Sequence, residues 1–147
     1  MNETIKDILG LLQQPFSMHK IKVQSRCAKN LPKVNLSKID GHQVIHNILT
    51  NAIQAMPAGG TVSIHTSFDA KSKLVTVEIT DQGVGIASAH LPKVFEPFFT
   101  TKDHGVEKSS GLGLSIVYAI VQAAGGSINI QSSLRKGTQV RLLFPYD

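Results

Sequence analysis

The sequence has no tryptophan and a single cysteine, and aromatic residues make up only 5% of it. A hydrophobic core must therefore be built from Ile, Leu, Val and Ala. The lone Cys27 cannot form an internal disulfide, which points to a reducing compartment, and it is expected to be a small buried hydrophobe without a catalytic role. No apolar run approaches the roughly 20 residues that span a bilayer. Residues 1–10 are polar and amphipathic, unlike a signal peptide. A cytoplasmic location without direct membrane contact is expected. The formal net charge is +5, yet the lysines and arginines are scattered, with no basic run and no aromatic–basic interleaving. Nucleic acid is therefore not an expected partner. Two phosphate-binding patterns are also missing. There is no G-x-x-x-x-G-K-[ST], and neither glycine pair reaches the third glycine of G-x-G-x-x-G. Cysteine and histidine show no zinc spacing.

What is present suffices for one domain spanning 1–147, expected to be monomeric in isolation: 147 residues, 41% hydrophobic and 17% charged. Asn2 is a good helix N-cap before Ile5, Ile8, Leu9 and Leu12, which recur at helical spacing, and Pro15 disturbs that helix. Residues 20–26 alternate as a strand. A long helix is expected over 39–56, ended by Pro57-Ala58-Gly59-Gly60. Strands over 61–68 and 74–80 form a hairpin, followed by a glycine-containing loop over 81–86 and one helical turn over 87–90. A stretch over 97–110 lacks a clear period and has the length of a functional lid. A helix over 111–124 and two strands over 127–132 and 139–144 complete the chain. The expected class is α+β, a two-layer sandwich with helices on one face of a mostly antiparallel sheet.

Three elements carry candidate chemistry. In the long helix Ile45, Ile48, Leu49, Ala52 and Met56 form an apolar stripe, while Asn47, Asn51 and Gln54 follow one another at i, i+4 and i+7. Asparagine in a helix interior costs roughly 0.6 kcal/mol against alanine. The line is either a solvated face or a row of neutral oxygen ligands suited to a hard cation such as Mg²⁺. Next, Asp81-Gln82-Gly83-Val84-Gly85-Ile86 follows a strand directly. It is either an ordinary acidic turn or a carboxylate that accepts from an exocyclic amine, with glycines that admit a flat ligand. Finally, Gly111-Leu112-Gly113-Leu114 opens a helix, where free N–H groups and the dipole favour phosphate, or it is simply a flexible joint. Before it, the bland use of Phe95, Phe98 and Phe99 would be to pin the loop to the core, and Lys102 is either a phosphate partner or a solvated lysine.

Taken in order, Asn47-Ile48-Leu49-Thr50-Asn51-Ala52, Asp81-Gln82-Gly83-Val84-Gly85, the segment 95–99 and Gly111-Leu112-Gly113-Leu114 resemble the N, G1, F and G2 boxes of sensor histidine kinases. Gly137-Thr138 is similar to that family's last glycine–threonine element. The stretches 51–60 and 95–102 look closest to the nitrogen-regulation type. The resemblance implies a Bergerat-type ATP-binding sandwich, shared with gyrase-, Hsp90- and MutL-like ATPases. It implies ATP and Mg²⁺ as cofactors, with Asn51 on the metal and Asn47 on the phosphates or metal. Asp81 would hold the adenine amine, supported by Gly83, Gly85, Ile86 and Thr138. Phe99 and Lys102 would belong to the lid, and Gly111, Leu112, Gly113 and Leu114 would line the phosphates. The implied partners are a dimerisation domain bearing the phosphoacceptor histidine and a response regulator.

Two departures matter. In the related ATPases a glutamate four residues before the metal-binding asparagine activates water. Here that position is Asn47, which cannot take a proton at neutral pH. And none of His19, His42, His46, His65, His90 and His104 is followed by Glu or Asp, as a phosphoacceptor histidine usually is. The acceptor is therefore expected on another domain. An ATPase or nucleotide-gated binding module, or an anti-sigma-type serine kinase, would share these boxes. Gln54 stands where many members of the family carry a basic residue.

Overall fold

The computed structural model describes residues 1–97 and 113–147. Five strands form one sheet: β1 (Ile21–Cys27), β2 (Gly60–Asp69), β3 (Leu74–Asp81), β4 (Ser127–Ser133) and β5 (Gly137–Pro145). Their spatial order is β1-β2-β3-β5-β4, with β1 and β2 parallel and the other pairs antiparallel. The helices are α1 (Asn2–Leu11), α2 (Gln13–Met18), α3 (Lys38–Ala55) and α4 (Gly113–Ala123), with a 3₁₀ turn at Leu91–Lys93. The α+β sandwich expected from the sequence is thus the observed architecture. The parallel pair needs a long crossover, which α3 supplies between β1 and β2.

The register puts alternate strand residues on one inner face. Ile64, Ile79, Val140 and Ile130 form one row across it, and Val77, Leu142 and Ile128 belong to the next. These side chains pack in one core with Ile5 and Ile8 of α1, Val44, Ile45, Ile48 and Leu49 of α3, and Val117 and Val121 of α4. Each such side chain, fully buried, contributes about 1.5–3 kcal/mol. The apolar stripe Ile45, Ile48, Leu49, Ala52 and Met56 is buried throughout. The other face of the sheet is polar. There Arg141 Nε lies 3.4 Å from Glu78 Oε1, and Gln139 donates to Glu78 Oε2 at 3.2 Å.

The long helix starts where local chemistry allows it. Ser37 caps α3 by accepting the Asp40 N–H at 3.0 Å, and Asp40 adds a favourable charge in the first turn. Pro57 follows the helix and cannot continue it. Two local expectations are corrected. Asn2 is not an N-cap but the first residue of α1, capped at Met1 without a side-chain bond. Its amide donates to Ala28 O at 2.7 Å and accepts the Thr66 hydroxyl at 2.9 Å, tying α1 to the sheet instead. Cys27 is exposed rather than buried, because it ends the edge strand β1. Pro15 is accommodated in the first turn of a separate helix, α2, where no N–H bond is lost. The turn expected at 87–90 is present, with His90 N–H donating to Ala87 O at 2.9 Å, and runs into the 3₁₀ turn. Among the described residues no helix is long and apolar enough to cross a membrane.

Candidate functional site

Asp81 is the last residue of β3 and continues the inner row, in register with Thr138, which in turn pairs with Ser132 of β4. A carboxylate thus stands where the row would otherwise carry another core residue, and only 9% of Asp81 is exposed. Burial raises its pKa above the ordinary aspartate value, while the N–H groups of Gly83 and Thr138, bonded to the charged form, partly offset that rise. The Gly83 N–H donates to Oδ1 at 2.8 Å, turning the chain back immediately after the strand.

The loop that follows is held against two other elements. A Cβ on Gly83 would lie 2.6 Å from both the Cβ and the carbonyl oxygen of Ala55 at the end of α3. Gly85 has φ +73, and a Cβ there would overlap the Ser133 carbonyl oxygen. Both glycines are therefore required by the protein's own packing. The Val84 N–H donates to Ala55 O at 3.0 Å and the Arg135 N–H donates to Val84 O at 2.8 Å. The Ile86 N–H donates to Ser132 Oγ at 2.7 Å.

Asn47 and Asn51 of the amide line face the start of α4. Asn47, Asn51 and Gln54 are all half-buried, none of them simply solvated. Asn47 Nδ2 donates to Gly113 O at 3.4 Å. A Cβ on Gly113 would lie 3.8 Å from Asn51 Nδ2, so the Asn51 amide borders the first residue of α4. Gly113 and Leu114 are half-buried there. Phe99, Lys102, Gly111 and Leu112 lie outside the described residues, as does all of the 97–110 stretch except Pro97. Phe95 is described and stacks on Tyr118 of α4 at a centroid distance of 5.1 Å.

The residues singled out in sequence thus fall into two groups bridged by α3. One is Asp81 with its loop and Thr138, leaning on Ala55; the other is Asn47 and Asn51 beside Gly113. The first offers a desolvated acceptor, the second neutral amides near a helix N-terminus. No group of three His, Cys, Asp or Glu side chains able to hold a metal occurs among the described residues.

Residues 38–147 match the model of the histidine kinase-, DNA gyrase B- and HSP90-like ATPase family. The chain belongs to that family. It is 33% identical to sporulation kinase D of Bacillus subtilis over 99% of its own length and 28% of that protein. It is 34% identical to the sensor histidine kinase ZraS of Escherichia coli K12, again over 99% of this chain and 30% of the relative. The chain therefore spans less than a third of these relatives. Among solved structures it is similar to the mycobacterial sensor histidine kinase MprB (TM-score 0.84, 27% identity, 99% of this chain and 93% of that one). It is equally similar to the catalytic domain of histidine kinase ThkA in a nucleotide-free form (TM-score 0.84, 27% identity, 99% and 91%).

In this histidine kinase-, gyrase- and HSP90-like domain two participants escaped the sequence reading. Ala55 supports the loop through its backbone, and no side-chain pattern announces that. Ser132 reads as one more small polar residue of an edge strand until the β4–β5 register sets it beside Thr138.

Proposed function

We propose that residues 1–147 form one ATP-binding catalytic domain of a sensor histidine kinase, which transfers the γ-phosphoryl group of ATP to a histidine on a separate dimerisation domain. The observation that carries this reading is the buried Asp81 carboxylate, joined through α3 to the half-buried amides of Asn47 and Asn51. A buried carboxylate has to meet donors, and an adenine amino group is such a donor. Gly83, Gly85, Ile86 and Thr138 shape the base end. The likeness to sporulation kinase D, ZraS and the ThkA catalytic domain supports the kinase assignment.

The donor set near α4 suits Mg²⁺. That ion is held by few protein oxygens and completes its shell with water and phosphate oxygens, so Asn51 with its neutral amide oxygen would be its ligand and Asn47 would meet the phosphates. When bound, the ion neutralises phosphate charge. Gly113 and Leu114 at the start of α4 present N–H groups and a favourable dipole to anions. The roles proposed for Phe99, Lys102, Gly111 and Leu112 are to cover and line the phosphates. Asn47 has no basic lone pair for activating water, so the domain holds ATP without a base for hydrolysis. Phosphoryl transfer then rests on positioning, with the acceptor imidazole as nucleophile. The proposed partners are the phosphoacceptor domain and a response regulator, and the proposed setting is the cytoplasm.

The test is transfer of labelled γ-phosphate from ATP to a supplied dimerisation domain, giving acid-labile phosphohistidine. Steady phosphate release by this domain alone without transfer would refute the kinase reading in favour of an ATPase. Acid-stable label would point to a serine.

A further inference from the structure

We infer that Ser132 is a positioning residue for the base end of the site, holding the glycine loop down on β4 and orienting the Thr138 hydroxyl beside Asp81. The inference rests on the reading of Asp81 as the base-recognising group. Hydrogen bonds that tether the loop include Gly83 N–H to Asp81 Oδ1, Val84 N–H to Ala55 O, Arg135 N–H to Val84 O, Ile86 N–H to Ser132 Oγ and Thr61 N–H to Gln82 Oε1. Two of these tethers run between backbone groups, which exchange of one side chain for another leaves in place unless proline replaces the donor. A third uses Asp81 itself. Ser132 steadies the loop with a side chain that belongs neither to the loop, as Gln82 does, nor to the proposed recognition group.

The proton count on Ser132 sharpens its role. A hydroxyl has one proton and two lone pairs. Ser132 Oγ lies 2.7 Å from the Ile86 donor, 2.9 Å from the Gly137 carbonyl and 2.7 Å from Thr138 Oγ1. One arrangement satisfies all three: Ser132 accepts from Ile86 and from Thr138, and donates to Gly137. The Thr138 proton is then directed at Ser132, and its lone pairs are left toward the neighbouring space. Thr138 also gives its backbone N–H to Asp81. One serine on an edge strand thereby fixes the hydrogen-bonding sense of the residue next to the carboxylate. Removing its hydroxyl loosens Ile86 and lets the Thr138 hydroxyl rotate.

The experiment titrates ATP, GTP and inorganic tripolyphosphate into the full 147-residue chain and its variants, with calorimetry. Ser132→Ala is expected to weaken ATP binding about tenfold, the scale of one good hydrogen bond, to narrow the preference for ATP over GTP, and to leave tripolyphosphate affinity unchanged. Ser132→Thr keeps a hydroxyl on a residue that suits a strand and should restore both affinity and preference. Ser132→Cys, close in size with a weakly bonding thiol, should fall between and serves should the alanine variant not fold. ATP affinity within twofold of wild type with unchanged base preference in Ser132→Ala or Ser132→Cys would overturn the inference while leaving the ATP site standing. So would an equal loss for ATP and tripolyphosphate, which marks a general loss of structure. Failure of the wild-type chain to bind ATP overturns both readings.

Discussion

Replacing Asp81 by asparagine keeps the shape of the side chain and exchanges one oxygen for a donor. The Gly83 N–H, 2.8 Å from Oδ1, holds the amide oxygen in place, so the new NH₂ takes the position of the second carboxylate oxygen. An adenine amine arriving there meets a donor. If the amide flips instead, Gly83 loses its acceptor in a residue only 9% exposed. The loss combines a hydrogen bond to a charged group, about 1.5–3 kcal/mol, with the cost of an unmatched buried donor, about 1–3 kcal/mol. A total of about 2.5–6 kcal/mol corresponds to affinity reduced roughly 10²- to 10⁴-fold. The folded state should change little, because the substitution removes a charge that burial disfavours while weakening the bonds that the Gly83 and Thr138 N–H groups give to it. Calorimetric titration with ATP, beside a thermal melt, measures both quantities. ATP affinity within threefold of wild type in a folded variant would refute the assignment of Asp81 to the base; a collapsed melt would show that the carboxylate is needed by the fold.

The same residue has a pH signature. Its folded pKa is raised from 3.8 by burial, so its contribution to stability is fully present below that value and is lost as pH rises through the folded pKa. Wild type should therefore lose stability relative to Asp81→Asn on going from about pH 3 to pH 7, and a difference in melting temperature that stays constant would contradict the burial argument. Asn51→Ala should weaken ATP binding more with Mg²⁺ present than with chelator, without loss of fold, since alanine regains about 0.6 kcal/mol of helix propensity; equal losses in both titrations would remove Asn51 from the metal. Thr66→Val deletes the hydroxyl that donates to Asn2 Oδ1 at 2.9 Å in a residue 1% exposed, and urea unfolding should report a loss of about 1–3 kcal/mol. No measurable loss there would mean that the Thr66 hydroxyl does not help to hold α1, leaving its apolar face and the Asn2 bond to Ala28 O.

Most of the elements were legible because their signals are local. The apolar spacing of Ile45, Ile48, Leu49 and Ala52, the Pro57 stop, and the alternation in β2 and β3 each depend on neighbours a few residues away. Asp81, Asn47 and Asn51 stood out for a related reason: each is a residue type that its local element disfavours, an acid at the end of a buried strand and asparagines inside a helix. Asn2 shows the limit of such reasoning. Its type and position suit a cap, yet its amide is engaged by Ala28 and Thr66, 26 and 64 residues away, and no local pattern encodes which distant group will arrive.

By itself, then, the sequence determined the helices and strands, the class of fold and the candidate acceptors, since these follow from periodicity, caps and residue chemistry. Only the tertiary structure decided that β5 lies between β3 and β4, that α3 carries both the amide line and the ledge on which Gly83 rests, and that Ser132 meets Ile86 and Thr138. Strand order and register are settled by which faces bury each other, a competition among pairings distant in sequence. A hydroxyl's role follows from the three atoms around it, and those are assembled only when the sheet closes.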